Sequence, residues 1–99
     1  MPPFRVSKKA HNDLISIARY TELQWGIPQR NHYLQEIDDC FNQLAIQPEM
    51  GMACDDIRTG YRKFPHSSHL IFYRQGVDQI VEIIRILHKS MDVESKLPA

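Results

Sequence analysis

Two short segments of the chain, 60–65 and 85–92, combine basic side chains with aromatic or histidine side chains. A ribonuclease that works without a metal ion needs such groups. Cations stabilise the negatively charged phosphorane, and a histidine, tyrosine or carboxylate moves the protons. The candidates for this chemistry are Tyr61, Arg62, His69, His88 and Lys89.

Both segments also fit simpler interpretations. Arg62 and Lys63 can be solvated strand residues, or can form salt links with Asp55 and Asp56. The polar stretch His88–Asp92 directly follows an apolar segment that reads as a buried strand, and such a strand would fix its position. We therefore favour binding of a protein partner over catalysis for this stretch.

Metal and cofactor sites are not expected from the sequence. His66 and His69 are three residues apart, and in an extended chain this spacing puts them on opposite faces. No nearby acid or cysteine completes a zinc set, and no glycine-rich phosphate loop is present. Cys40 lies on the apolar side of a predicted helix, so we interpret it as a core residue and both cysteines as reduced thiols.

Composition indicates one small domain. The chain has 99 residues, 42% of them hydrophobic, and its 12 Lys and Arg balance its 12 Asp and Glu. General nucleic-acid binders usually carry a basic excess, so contact with DNA or RNA would need a local patch. The most apolar stretch, Ile80–Leu87, is far shorter than the ~20 residues of a membrane span, and no signal peptide precedes it. We expect a soluble, cytoplasmic protein with no membrane association.

Two helices are predicted in the first half of the chain. Ser7 has the side chain of an N-cap, and Gly26 suits the end of the first helix. Pro28 suits the first turn of the second helix, and Pro48 ends it. The apolar positions recur every three or four residues, at Ala10, Leu14, Ile17, Ala18, Thr21 and Trp25, then at Leu34, Ile37, Phe41 and Leu44. The short connection predicts an antiparallel hairpin.

Strands are predicted on either side of these helices. Phe4–Val6 precedes them, and 57–65, 68–74 and 80–87 follow a loop at 49–56. The expected fold is α+β, in the order β-α-α-β-β-β, with the hairpin on one face of a small, mostly antiparallel sheet. The other face has little sequence to cover it and is a candidate binding surface. Residues 1–99 form one domain in this interpretation, ordered over about 3–92, with a fraying tail at 93–99.

In this order and spacing, several segments resemble the ParE branch of the RelE/ParE toxin superfamily, over about Phe4 to Asp92. The segments are Ser7–Ala10 leading into Asp13, Leu14 and Ile17, then Trp25–Gly26, Leu44–Ala45, Pro48, Gly51, Ile57–Arg58, Gly60–Phe64, His69–Tyr73, Ile84–His88 and Met91–Asp92.

The resemblance implies the toxin of a type II toxin–antitoxin pair. It implies that the toxin poisons DNA gyrase by binding rather than by catalysis, so that cleaved DNA accumulates. It also implies a ParD-like antitoxin, encoded beside the toxin, whose disordered segment folds over it. The two would form a hetero-oligomer that represses its own operon, with the antitoxin contacting the operator DNA.

Candidate site residues follow from these expectations. For the target we expect the segment after the last strand and part of the first basic segment, namely His88, Lys89, Ser90, Met91, Asp92, Tyr61 and Arg62. For the antitoxin we expect the groove between the hairpin and the sheet, near Leu14, Trp25 and Phe72.

Two alternatives stay open. The RelE branch cleaves messenger RNA, using an arginine on the strand that matches His69–Tyr73 and an arginine and a tyrosine after the last strand. Here the strand position has His69-Leu70, and no tyrosine follows Tyr73. His88 and Lys89 could substitute for the missing groups, which would give an endoribonuclease. A toxin-like chain without activity, serving only as an antitoxin partner, is the other alternative.

Overall fold

In the computed structural model, which describes residues 4–98, a helical hairpin packs against one face of a five-stranded sheet. The elements are β1 (Phe4–Val6), α1 (Lys8–Trp25), α2 (Ile27–Ile46), a 3-10 turn (Pro48–Met50), β2 (Met52–Ala53), β3 (Arg62–His66), β4 (His69–Gln75), β5 (Val81–His88) and α3 (Val93–Lys96). The sheet order is β1-β5-β4-β3-β2, and only the β1–β5 pair is parallel. The predicted α+β architecture is confirmed, while residues 1–3 of the predicted start and residue 99 of the predicted tail lie outside the described part.

Ser7 joins the first strand to the first helix. Its hydroxyl accepts a hydrogen bond from the Ala10 amide at 3.0 Å, which confirms the predicted N-cap. The same hydroxyl donates to the carbonyl of Ile84 at 2.8 Å, and the Ser7 amide donates to the carbonyl of Ile83 at 2.9 Å. The start of α1 is therefore bonded directly to β5.

Nearly two turns further along α1, Asp13 makes the second connection to β5. Its carboxylate forms two hydrogen bonds of 2.8 Å with the Arg85 guanidinium and accepts a third, at 3.0 Å, from the Ile86 amide. Arg85 also donates to the carbonyl of Lys96 at 2.9 Å. Both charged side chains are only 15% exposed, so α1, β5 and the C-terminal segment meet at a largely desolvated ion pair.

Gly26 sets the geometry of the helical hairpin. With φ at +91°, a value that glycine adopts at little cost, it ends α1 and immediately precedes α2, which has Pro28 in its first turn. Both predictions are confirmed, as is the end of α2 just before Pro48. None of the helices in residues 4–98 is long and apolar enough to cross a membrane.

The segment between α2 and β3 differs from its prediction. The expected loop at 49–56 contains the 3-10 turn and the short edge strand β2, and the strand expected from residue 57 begins only at Arg62. The reason is a series of turns, in which the Cys54 carbonyl accepts from the amides of Ile57 and Arg58, and the Asp55 carboxylate accepts from the Gly60 amide. Of the apolar side chains in the expected strand, Ile57 and Tyr61 pack in a second core, whereas Phe64 packs against the core under the hairpin.

This second core covers the sheet face that was predicted to be open. It consists of Cys54, Tyr61, Phe72, Ile84, Leu87 and Leu97. The predicted fraying tail also differs from the structure. Residues Val93–Lys96 form a helical turn, Leu97 is 5% exposed, and Arg58 donates to the carbonyls of Glu94 and Pro98. One buried leucine in a polar segment was too weak a signal to predict this packing.

We expect Asp13→Ala to lower the free energy of unfolding by about 2–4 kcal/mol, because it leaves the Arg85 charge and the Ile86 amide without their partner. The control is Asp39→Ala on the exposed side of α2, whose carboxylate accepts only from Gln35 and whose loss should cost about 0.5 kcal/mol or less. Urea unfolding followed by circular dichroism measures both changes. Equal losses in the two variants would contradict the role given to Asp13.

Candidate functional site

A groove of about 610 Å³ lies where the C-terminal half of α1 passes the ends of β4 and β5. We call it the α1–β5 groove, and it is lined by Ser16, Ile17, Tyr20, Thr21, Trp25, Ser68, His69, His88, Ser90 and Met91. Three large side chains in its walls are exposed, with Trp25 at 72%, Tyr20 at 65% and Met91 at 46%. Exposed aromatic side chains around a concave surface are typical of a protein-binding site.

Three histidines form a row across the sheet beside this groove. His66, His69 and His88 occupy directly paired positions on β3, β4 and β5, and we call them the histidine ladder. The rings of His69 and His88 meet edge to face with their centroids 5.5 Å apart. The prediction that His66 and His69 lie on opposite faces was wrong, because Ser67 and Ser68 form a tight turn that places the two histidines opposite each other on neighbouring strands.

Tyr33 of α2 holds the middle of the ladder. Its hydroxyl lies 2.8 Å from Nδ1 of His69, and its ring packs against the rings of both His66 and His69. Burial, together with the nearby His88 and His66, lowers the pKa of His69 from its ordinary value of 6.5, and the Asp13 charge opposes this only in part. His69 is therefore neutral at neutral pH.

The two ends of the ladder have different surroundings. At the inner end, His66 contacts the Glu36 carboxylate at 3.1 Å and the Cys40 sulfur at 3.6 Å. At the groove end, Nδ1 of His88 lies 2.7 Å from the Ser90 hydroxyl. Only the inner end thus has a carboxylate partner. Across residues 4–98, no three His, Cys, Asp or Glu side chains form a group suited to a metal ion.

Cys40 lies next to His66, as the nucleophile of a thiol enzyme would lie next to its base. Its environment opposes that role, because burial and the charges of Asp39 and Glu36 raise the pKa of the thiol. Cys40 and the buried Cys54 are both free thiols. The interpretation of Cys40 as a residue that packs against the core agrees with this environment.

The predicted target-binding residues fall into two separate places. His88, Ser90 and Met91 line the α1–β5 groove, and Lys89 and Asp92 are exposed beside them. Tyr61 and Arg62 lie at the other end of β3 from the histidine ladder. Arg62 is four residues before His66, which is roughly 13 Å along the strand at about 3.3 Å per residue.

Tyr61 and Arg62 are also engaged locally. Tyr61 is 4% exposed in the second core, and Arg62 donates to the carbonyl of Gly51 at 2.7 Å rather than to Asp55 or Asp56. The residues proposed for ribonuclease chemistry are therefore divided between the two ends of the sheet.

The predicted antitoxin-binding residues are also separated. Trp25 lines the α1–β5 groove, and Leu14 lines a smaller, apolar trough of about 280 Å³ between α1 and α2. Phe72 is fully buried in the second core and presents no surface to a partner, which corrects that prediction. Its burial was not evident because both faces of β4 are covered.

Sequence reasoning missed Tyr20 and Tyr33, which line the groove and hold the ladder respectively. Tyr20 carried a usable signal, since a tyrosine off the apolar stripe of an amphipathic helix is exposed. For Tyr33 the signal was insufficient, because its role depends on the pairing of β3 with β4.

Comparison with known proteins gives a consistent result. Residues 4–93 match the family described as "ParE toxin of type II toxin-antitoxin system, parDE". The protein "Toxin ParE1" of Caulobacter vibrioides is 41% identical over 97 residues, which are 98% of this chain and 99% of the relative. "Toxin ParE1" of Mycobacterium tuberculosis is 37% identical over 94 residues, 95% of this chain and 96% of the relative. "Toxin ParE" of Escherichia coli is 24% identical over 97 residues, 98% of this chain and 94% of the relative.

The contrast between Trp25 and Phe72 can be tested by stability. Phe72→Ala should lower the free energy of unfolding by about 3–5 kcal/mol, because it leaves a cavity in the second core. Trp25→Ala should change it by about 0.5 kcal/mol or less, since the indole is mostly exposed. Denaturant unfolding of the two variants checks this, and a large loss for Trp25→Ala would mean that the indole packs as core rather than as a binding surface.

Proposed function

The chain belongs to the ParE toxin family of type II toxin–antitoxin systems, and from that premise we propose that it poisons DNA gyrase by protein binding and is neutralised by a ParD-like antitoxin. Membership of a toxin–antitoxin family supports an antitoxin as one partner, and gyrase as the target follows from the resemblance to the ParE branch. The observation that supports binding as the mode of action is the α1–β5 groove, which combines exposed aromatic side chains with the segment that follows β5.

The groove has the properties of a protein-binding surface. Trp25 and Tyr20 provide large apolar areas, while His69, His88 and Ser90 provide hydrogen-bonding groups. His88 ends a strand whose preceding residues are buried, so the position of the segment 88–92 is fixed by the sheet. A partner can therefore bind there without first ordering this segment.

The positions of the cationic side chains support a non-catalytic action. Arg85 is held by Asp13 and by the Lys96 carbonyl, and Arg62 is held by the Gly51 carbonyl. Stabilising a phosphorane requires a cation within hydrogen-bonding distance of the reacting phosphate. Of the cations in the two predicted segments, Lys89 is the one beside the groove.

The antitoxin is proposed to cover the same groove. A disordered antitoxin segment that folds over α1 would bury Trp25 and Tyr20, and would then lie on His88 and Met91 as well. Antitoxin and gyrase would then compete for one surface. The zero net charge of the chain agrees with contact to operator DNA through the antitoxin alone, in a cytoplasmic hetero-oligomer.

Incubation of the purified chain with DNA gyrase, plasmid and ATP should reduce supercoiling and produce linear cleaved DNA. Replacing residues 88–92 by alanine should raise the concentration needed for this effect about tenfold or more, a loss of about 1.4 kcal/mol in binding. The control is Val77→Ala, a fully exposed residue in the turn at the opposite end of β4 and β5. Gel electrophoresis of the plasmid measures both.

If gyrase is unaffected while the chain still arrests growth, the gyrase proposal fails. Primer extension on messenger RNA after induction then decides for or against an endoribonuclease. If induction without antitoxin leaves colony counts unchanged, the chain is the inactive partner protein.

We expect Trp25→Ala to weaken antitoxin binding about thirtyfold, the effect of losing an aromatic anchor worth about 2 kcal/mol. Leu23→Ala is the matched control, since Leu23 is 84% exposed near the same end of α1 but does not line the groove. Calorimetric titration of each variant with the cognate antitoxin gives the affinities. Equal affinities for the two variants would move the antitoxin away from the groove.

A further inference from the structure

At the groove end of the histidine ladder, the rings of His69 and His88 meet edge to face, so that positive charge on both rings would be repulsive. We propose that the ladder is an acid-sensitive switch, in which protonation separates the ends of β4 and β5 and moves the segment 88–91 out of the α1–β5 groove. The structural change does not depend on the proposed function, whereas its effect on gyrase binding rests on that function.

The first argument is the geometry of the ladder. His69 and His88 are the last residue pair of the β4–β5 ladder, and their ring centroids are 5.5 Å apart. If both rings were protonated, two positive charges would face each other at this distance, one on the half-buried His69 and one on the exposed His88. Repulsion between like charges opposes that state, so one ring must stay neutral or the pair must separate.

The second argument is the distribution of the countercharges. On α2, the Glu36 carboxylate contacts His66 and His32, while Tyr33 and Cys40 present neutral groups. On α1, Asp13 is the acidic group whose charge reaches His69, and it is bound to Arg85 through both oxygens.

On the strands, His66 and His88 flank His69, and neither brings a negative charge. Beside β5, Lys89 adds a positive charge and Asp92 is exposed. A proton taken up at His69 therefore adds positive charge that no carboxylate in the lining of the groove can balance.

The lowered pKa of His69 gives the direction of the effect. In the unfolded chain a histidine binds its proton near pH 6.5, whereas folded His69 binds it only at lower pH. The closed state is the conformation of the structure, with the segment 88–91 against the groove. Below pH 6.5 the unfolded or opened state holds more protons, so the closed state loses stability as the pH falls through that value. Above pH 6.5 the closed state keeps its full stability.

The third argument is that the opening has a defined boundary. The contacts at this end are the Lys89 amide with the Ser68 carbonyl, the Met91 amide with the His88 carbonyl, and His88 with Ser90. Further along the chain, the Lys96 carbonyl accepts a hydrogen bond from Arg85, and Leu97 is buried. The end of a strand pair is the least costly part of a sheet to open, so separation can stay confined to 88–92 and the last pair.

The test is amide hydrogen exchange of the full chain, followed by NMR at pH 7.5 and pH 5.5 and expressed as protection factors. Protection of the last pair, His69 and His88, and of the Lys89 and Met91 amides should fall about tenfold or more relative to that at 75 and 81, the opposite end of the same strands. Tenfold is the change that one pH unit brings when one proton is linked to opening. The single Trp25 in the groove provides an independent fluorescence signal of the same transition.

His69→Gln is the decisive variant, because glutamine can still bond to the Tyr33 hydroxyl but cannot be protonated. It should keep its protection at pH 5.5. The control His11→Gln, on an exposed position of α1, should respond to acid as the original chain does. Three results would overturn the proposal: unchanged protection at pH 5.5, a uniform loss across the whole chain, or an unaltered acid response in His69→Gln.

Binding to immobilised gyrase at pH 7.5 and pH 6.0 then separates the switch from the proposed target. If the switch acts on the toxin, affinity falls at pH 6.0 for the original chain and does not fall for His69→Gln. If exchange shows the opening but gyrase is not bound at either pH, the target assignment fails and the switch stands. Binding at both pH values with equal affinity would refute the effect on gyrase binding, and the hydrogen-exchange result would still decide the structural switch.

Discussion

The ion pair between Asp13 and Arg85 is the contact on which the arrangement of the molecule depends. Strand β1 pairs with only three residues of β5, so the rest of that edge needs other partners. Ser7 and Asp13 supply them through the Ile84 carbonyl and the Ile86 amide, and Arg85 extends the connection to Lys96. Because α1 and the end of β5 form the two walls of the groove, the same contact fixes the distance between those walls.

Burial on both faces of the sheet determines where function can be located. The helical hairpin covers one face, and the turns at 54–61 together with α3 and Leu97 cover the other. In the middle of β4, Ile71, Phe72 and Tyr73 are all fully buried. Apart from the exposed edge strand β2, the side chains able to meet a partner lie mainly at the ends of the strands and on the outer surface of the hairpin. The α1–β5 groove is where these two regions meet.

Local signals allowed much of this fold to be predicted, and pairing between distant segments accounts for what was missed. Ser7, Gly26 and Pro48 act on the backbone next to them, so the helix boundaries follow from sequence. Trp25 and Phe72 are both large aromatic residues, yet one is 72% exposed and the other fully buried, because the turns and the tail cover the second face. The histidine ladder was missed for a similar reason, because its three side chains become neighbours only through the register of β3, β4 and β5.

The use of cations in the structure supports binding over catalysis. Arg85 and Arg62 each use their hydrogen bonds to hold segments of the chain together. The α1–β5 groove is lined instead by imidazoles, hydroxyls and exposed aromatic rings. A phosphate in this groove would find little positive charge, whereas a folded protein surface would find apolar area and hydrogen-bonding groups. In a chain with no net charge, affinity for a partner must come from such contacts rather than from long-range attraction.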